Sequence, residues 1–152
     1  MSNRNVKIQK LKEKFADTEI FCPHILKKFG SGAWEYLSNE YVDNLYYFRF
    51  ILFNRPIFIN YPSQGRVERG IRCNLCKITK KYTKRNEAYM TAHFLNGSDM
   101  DVKGLTAEEV RTIIRETAHS LPHPIRIEKD VSWVHWDTRN YTGSMGNMIQ
   151  EF

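Results

Sequence analysis

The stretch IRIEKDVSWVHWDTR, residues 125–139, decides the fold. Apolar and polar residues alternate on both sides of a polar turn, and this period-two pattern predicts a β-hairpin with strands at 125–128 and 133–138. Upstream, Thr106 and Glu109 form a capping box at the start of an amphipathic helix. Helix and hairpin together predict a small α+β domain, with a central antiparallel sheet flanked by helices.

Earlier parts of the chain fit the same architecture. Apolar residues recur at helical spacing near the N-terminus and again over 39–53. The second of these helices leads into a buried strand at 57–59, after Asn-Arg-Pro. The Gly-, Ser- and Lys-rich segment 62–84 is predicted to be a long irregular surface excursion.

Length and composition limit the classes of protein to consider. The chain has 152 residues and a formal charge of +6, and 41% of its residues are hydrophobic. Such a chain forms a single domain, 1–152, with a genuine core, so wholesale disorder is excluded. No apolar run approaches the roughly 18–20 residues of a membrane span. The basic N-terminus has no apolar signal-peptide region, so we expect synthesis in the cytoplasm.

The cysteines and the basic residues give weaker signals. Cys22, Cys73 and Cys76 are odd in number, which argues against a closed disulfide framework. Cys73-x-x-Cys76 has the spacing of a zinc knuckle or a redox pair, but no second pair follows, so buried thiols are favoured over a structural metal. The basic run 77–85 is most simply a solvated loop. It leaves nucleic-acid binding as a minor alternative, and we predict no nucleic-acid partner.

Two histidines and an aspartate are candidates for a metal site. His93, Asp101 and His135 provide the donors of a catalytic zinc, in which three protein ligands leave a fourth position for water. A nearby carboxylate must then take up the proton, and Glu128 and Asp130 are the candidates. The residues alone leave other roles open: Asp101 as a cap before the following helix, and His135 packed against its neighbouring tryptophans.

A family resemblance favours the metal site. TAHFLNGSDMDV, residues 91–102, followed by WVHWD, residues 133–137, resembles the zinc D-alanyl-D-alanine carboxypeptidase family. That family includes phage L-alanyl-D-glutamate endopeptidases and shares its fold with hedgehog signalling domains. Its motifs are Ser/Thr-x-His…Gly-x-x-x-Asp-Ile/Val and a later Trp-x-His. The resemblance covers roughly 21–139, and it implies a hedgehog-like fold, one zinc ion and hydrolysis of peptide bonds next to D-residues in peptidoglycan.

Carried over residue by residue, the resemblance makes His93, Asp101 and His135 the zinc ligands. The family's usual base position, three residues before the last His, holds Ser132, which cannot act as a base. The resemblance to the hedgehog-like branch then implies Glu128 as the base, with Asp130 in reserve.

The spacing of the ligands departs from the family. Seven residues rather than six separate His93 from Asp101, and Asp99 stands where the family has Ala. Asp101 is preferred because it alternates with apolar Met100 and Val102, as in a strand with one buried face. Asp99 remains the alternative ligand.

The resemblance also suggests how substrate binds. Arg72 and Asn74 fall where the family has an Arg-containing substrate loop, and a guanidinium there can clamp a stem-peptide carboxylate. Arg66 is more simply an exposed basic residue. Of Trp133 and Trp136, one is expected in the core, and the other either packs there too or lines the cleft.

Three hypotheses follow. The first is a monomeric zinc peptidase of peptidoglycan stem peptides, acting at the cell wall as a phage lysis protein. The second is a non-catalytic zinc-binding module or virion structural protein of the same fold, motivated by the missing acid at Ser132. The third is a small nucleic-acid-binding protein.

Overall fold

A layer of short helices precedes most of the sheet along the chain. The computed structural model describes residues 1–77, 79, 88, 96–139, 143 and 146–152. Its α-helices are α1 (Asn3–Lys12), α2 (Asp17–Ile20), α3 (Pro23–Phe29), α4 (Asn39–Tyr46) and α5 (Ala107–Glu116). A π-helical segment, Tyr47–Leu52, continues α4 and completes the helix predicted over 39–53. None of the helices in these ranges combines the length and apolar character needed to cross a bilayer.

Within the residues that the structure describes, five short strands form one sheet in the order β1-β2-β4-β3-β5. They are β1 (Ile57–Phe58), β2 (Gly97–Val102), β3 (Ile125–Ile127), β4 (Val134–Asp137) and β5 (Ile149–Glu151). The predicted hairpin is the antiparallel β3–β4 pair, while β5 runs parallel to β3. The α+β class is therefore confirmed, with a mixed sheet in place of a wholly antiparallel one.

The sheet has one apolar and one polar face. The apolar side chains at alternate positions of β2 and β4 are buried, including Met100 and Trp136. Trp136 stacks on Tyr41 of α4, with ring centroids 5.2 Å apart, and meets Phe48 edge to face at 5.1 Å. Because the pleat alternates, the polar residues between these core positions lie on the other face.

Helix α5 positions the β3–β4 turn. Its capping box forms as predicted: the Glu109 N–H donates to Thr106 Oγ1 at 3.2 Å, and the Thr106 N–H donates to Glu109 Oε2 at 2.7 Å. From within the helix, buried Arg111 donates to the carbonyls of Val131 and Trp133 at 3.0 and 2.8 Å. The side chain of Arg111 therefore replaces backbone pairing that the turn lacks.

The segment after β1 differs from its prediction. We expected a surface excursion over 62–84, yet Ile71 is fully buried and forms a parallel bridge with Phe21. Gly70 allows this approach, because a Cβ there would lie 2.2 Å from the carbonyl oxygen of Ile20. The Asn60 side chain also accepts a hydrogen bond from the Gly70 N–H at 3.0 Å. The described part of this segment is thus anchored to the helical layer.

Candidate metal centre and polar cleft

All three cysteines of the chain meet at one histidine. The ligand atoms of Cys22, His24, Cys73 and Cys76 all lie within 4.8 Å of one another. The three cysteine residues are fully buried, whereas His24 is exposed. A Cys3His set of this kind is compatible with zinc. This cluster, named here the Cys3His cluster, was missed by the sequence analysis, which favoured isolated buried thiols.

Two short chain segments build the Cys3His cluster. Cys22 precedes Pro23, the first residue of α3, so that His24 follows in the first helical turn. The Cys22 N–H donates to the carbonyl of Ile71 at 2.9 Å, which joins this helix start to the anchored segment. The useful sequence signal was the Cys-Pro-His triplet, which supplies a second two-ligand unit to complement Cys73-x-x-Cys76.

Hydrogen bonds among the three thiols of the cluster shift their pKa values. A hydrogen bond from Cys76 lowers the pKa of the Cys22 thiol to about 5, although burial opposes this shift. The same contact raises the pKa of Cys76, and burial raises that of Cys73. These contacts favour the thiolate form of Cys22 over that of its two neighbours, and thiolate is the form that binds metal.

A second constellation lies on the polar face of the sheet. His135 on β4 is the register partner of Asp99 on β2, and their Nδ1 and Oδ1 atoms are 2.8 Å apart. The other ring nitrogen, Nε2, is 3.1 Å from Asp137 Oδ2. Arg126 on β3 donates to both oxygens of Asp137 at 2.7 and 2.8 Å. The imidazole is thus held between two carboxylates, one of which is itself held by a guanidinium.

These contacts shift the pKa values of His135 and Asp137 in opposite directions. Burial alone would lower the pKa of His135, but the hydrogen bonds to Asp137 and Asp99 outweigh it and raise the pKa to about 9. For Asp137, burial is outweighed by hydrogen bonds from His135 and Arg126, and its pKa falls to about 2. Without a metal, His135 is therefore an imidazolium at neutral pH.

A pH dependence of stability follows for the metal-free protein. Because the folded pKa of His135, about 9, exceeds its ordinary value of 6.5, its contribution is complete below pH 6.5 and lost as the pH rises through 9. We expect the melting temperature of His135→Gln to approach that of the wild-type protein over this range. Melting curves of both metal-free proteins from pH 6 to about pH 10 measure this convergence, and a constant difference would contradict it.

Asp101 lies two residues further along β2, on the same face as Asp99. It accepts hydrogen bonds at Oδ2 from the Tyr61 hydroxyl at 2.6 Å and from Arg69 Nη1 at 2.8 Å. Although partial burial opposes the shift, these bonds lower the pKa of the Asp101 carboxyl. Asp101 is thus a carboxylate, and as a diagonal cross-strand neighbour it lies roughly 7–8 Å from His135 between Cα atoms.

A cleft of about 500 Å³ opens beside these residues. Within the described residues it is lined by Gly65, Arg66, Val67, Glu68, Arg69, Lys77, Asp99 and Trp133. Arg69 is 8% exposed, and its Nη2 atom is buried without a hydrogen-bond partner in this part of the chain. Trp133 is 41% exposed, whereas Trp136 lies in the core, so the two tryptophans divide the roles that the sequence left open.

The predicted base Glu128 lies on the polar face of the sheet, whereas its alternative Asp130 lies at the exposed β3–β4 turn. Glu128 directly follows β3, and its N–H donates to the carbonyl of His135 at 3.1 Å, so the two residues are neighbours across the hairpin. Because Glu128 follows buried Ile127, it falls on the polar side. Asp130 is exposed at the turn with a φ of 59°, and Ser132 is exposed as well.

The predicted substrate residues Arg72 and Asn74 lie outside the cleft lining, and the predicted ligand His93 lies outside the described residues. Arg72 is half-buried and Asn74 is fully buried between the two cysteines of the Cys73–Cys76 turn. Neither belongs to the cleft lining, where Arg66 and Arg69 lie instead. His93 lies outside the described residues. Among those that are described, the polar face alone does not bring three metal-ligand atoms within 4.8 Å of one another.

Comparisons with protein-family models, with curated proteins and with solved structures find no match to this chain.

Proposed function

We propose that this chain is a zinc-dependent peptidase that hydrolyses peptide bonds next to D-residues in peptidoglycan stem peptides. One observation carries the proposal: Asp101 on β2, His135 on β4 and Glu128 directly after β3, assigned as ligands and base by the resemblance, share one face of the sheet. The cleft adjoins this face through the hydrogen-bond partners of His135 and Asp101, which are Asp99 and Arg69. Period-two alternation accounts for this arrangement, since polar residues alternate with core residues along β2 and β4.

The donor set on this face suits zinc. Imidazole nitrogen and carboxylate oxygen are both zinc ligands, and the resemblance adds His93 as the third. Nδ1 of His135 faces the Asp99 carboxylate on β2, while Asp137 contacts Nε2 and accepts hydrogen bonds from Arg126. A carboxylate on the second ring nitrogen is the usual way in which a ligand histidine is oriented. Zinc bound there would polarise the scissile carbonyl and activate the attacking water.

The remaining steps fall to side chains of this chain. Glu128 lies across the hairpin from His135, where its carboxylate can accept a proton from the attacking water and deliver it to the leaving amine nitrogen. Asp130 is the reserve for this role. Asp99 is hydrogen-bonded to His135, and it is the alternative ligand to Asp101.

Cationic residues of the cleft would bind the substrate. Arg69 donates through Nη1 to Asp101, and its Nη2 lacks a partner among the described residues. A guanidinium with an unused N–H, next to a site of hydrolysis, suits a carboxylate or carbonyl of a stem peptide. Exposed Arg66 adds positive charge, and Trp133 provides an apolar wall.

The experiment is digestion of purified peptidoglycan sacculi, followed by mass spectrometry of the released fragments. We expect fragments with one added water and a new amino terminus at a bond next to a D-residue. Glu128→Gln is the matched variant, because it keeps the shape of the side chain and removes the base. It should release almost no fragments while binding as much zinc. Unchanged release by Glu128→Gln would contradict the role given to this carboxylate.

A second candidate function is a non-catalytic zinc-binding module or virion structural protein. The Cys3His cluster favours it, because four protein ligands leave no open position for a substrate. Both nitrogens of His135 are also engaged by carboxylates. Zinc-loaded protein that releases nothing from sacculi of several cross-link chemistries would support this candidate over the peptidase.

If the peptidase proposal holds, release through a holin during phage lysis would bring the protein to the cell wall.

A further inference from the structure

We propose that Cys22, His24, Cys73 and Cys76 bind one structural Zn²⁺ ion, and that this ion fastens the segment 66–77, which forms one wall of the cleft, to the start of α3. The proposal is independent of the peptidase function, because none of these four residues belongs to the polar face of the sheet. It adds a metal site of a different chemistry, with three sulfur ligands.

The distances fit a single ion. Zinc binds thiolate at about 2.3 Å and imidazole at about 2.0–2.1 Å, so ligand atoms around a tetrahedral ion lie roughly 3.6–3.8 Å apart. The four atoms here lie within 4.8 Å of one another, and Cys76 Sγ is 3.7 Å from His24 Nδ1. Small side-chain adjustments therefore suffice to complete the coordination shell.

The backbone around Cys73 and Cys76 is already folded as a metal-binding turn. The Leu75 N–H donates to Cys73 Sγ at 3.3 Å, which stabilises negative charge on that sulfur. The Thr79 hydroxyl donates to the carbonyls of Cys73 and Cys76, and the Thr79 N–H donates to Cys76 at 3.0 Å. These bonds hold the backbone turn that carries both cysteines in place before any ion is bound.

Burial indicates a structural rather than a catalytic ion. All three cysteines are 0% exposed, and four protein ligands complete a tetrahedral shell. Three cysteine ligands also supply enough negative charge to balance a buried divalent ion once they are deprotonated. An ion thus accounts for the convergence of every cysteine in the chain.

The site is coupled to the cleft through the chain itself. Lys77 follows Cys76 directly and lines the cleft, and its N–H donates to the Glu68 side chain at 2.8 Å. Arg69, in the same segment, carries the ion pair to Asp101. Zinc bound to Cys73 and Cys76 would hold this segment against the helical layer at two points, the ion and the Ile71 bridge.

The test replaces zinc with Co²⁺ and records the thiolate-to-cobalt charge-transfer band. All three cysteines of the chain belong to the Cys3His cluster, so this band reports on it separately from the peptidase site. We expect the band in the wild-type protein, a weaker band in Cys76→Ser and an altered band in His24→Ala. His119→Ala, an exposed histidine outside both sites, is the control and should match the wild type. His135→Ala should also keep the band.

Two further outcomes make the proposal falsifiable. Because His24 is exposed, His24→Ala leaves the core intact and remains informative if Cys76→Ser fails to fold. Absence of the band in wild-type protein, or a full and unaltered band in both ligand variants, would overturn the metal site. Removing the metal should accelerate amide hydrogen exchange in 66–77 by at least ~10-fold relative to α1; equal exchange with and without metal would overturn the anchoring role.

Discussion

His135→Ala is expected to reduce hydrolysis of peptidoglycan stem peptides by more than about 100-fold, since losing even an outer-shell partner of a metal ligand costs about 10–100-fold. The substitution removes a proposed zinc ligand and leaves the carboxylates of Asp99 and Asp137 without the imidazole between them. Fragment release from sacculi, measured by mass spectrometry at equal protein concentration, gives the rate. His119→Ala should hydrolyse as fast as the wild-type protein.

The same variant separates catalysis from folding. His135 lies on the polar face, so its loss leaves the apolar contacts of Trp136 and Met100 in place. We therefore expect far-ultraviolet circular dichroism and the cobalt–thiolate band to persist in His135→Ala. A variant that keeps both signals and still hydrolyses at the wild-type rate would remove His135 from the mechanism.

Trp136→Ala is expected to lower the free energy of unfolding by about 3–5 kcal/mol, the usual cost of truncating a large buried aromatic side chain. Trp136 is 0% exposed and joins the sheet to α4 through Tyr41 and to the π-helical segment through Phe48. Its removal leaves a cavity between the two layers. Denaturant unfolding of the purified variants measures the loss.

Two further variants test whether the loss of stability depends on the buried ring of Trp136. Trp136→Phe keeps most of the ring contacts and removes an Nε1 atom that has no hydrogen-bond partner in the described part of the chain. It should therefore cost less than Trp136→Ala. Trp133 lies three residues before Trp136, just outside β4. Trp133→Ala should cost no more than about 1 kcal/mol, because this side chain is 41% exposed. Equal losses in Trp133→Ala and Trp136→Ala would contradict this division of the two residues.

Local patterns predicted much of the fold. The hairpin of β3 and β4 followed from alternation, and the start of α5 followed from the capping box at Thr106 and Glu109. Both depend on contacts between residues close in sequence. The pairing of β5 alongside β3 was not predicted, because a parallel neighbour is set by tertiary contacts rather than by a local turn.

The candidate sites were predicted less evenly. Asp101 and His135 were selected through motifs, but the choice between Asp99 and Asp101 could not be made from alternation, since residues two apart share a face. The Cys3His cluster was missed because its two halves are about fifty residues apart. The bridge between Phe21 and Ile71 brings them together, and no local spacing encodes it.

Buried and polar side chains alternate along β2, and this limits the insertions and deletions that the strand can accept. Gly97 faces Asp137 across the β2–β4 pair, where a Cβ would lie 2.5 Å from the Asp137 Cβ, so the start of β2 has little freedom to slide. A single residue added inside β2 would turn Asp101 into the apolar layer and Met100 out into the cleft. Length changes inside this strand are therefore expected to disrupt folding and chemistry at once, because the same six residues carry both the core face and the polar face.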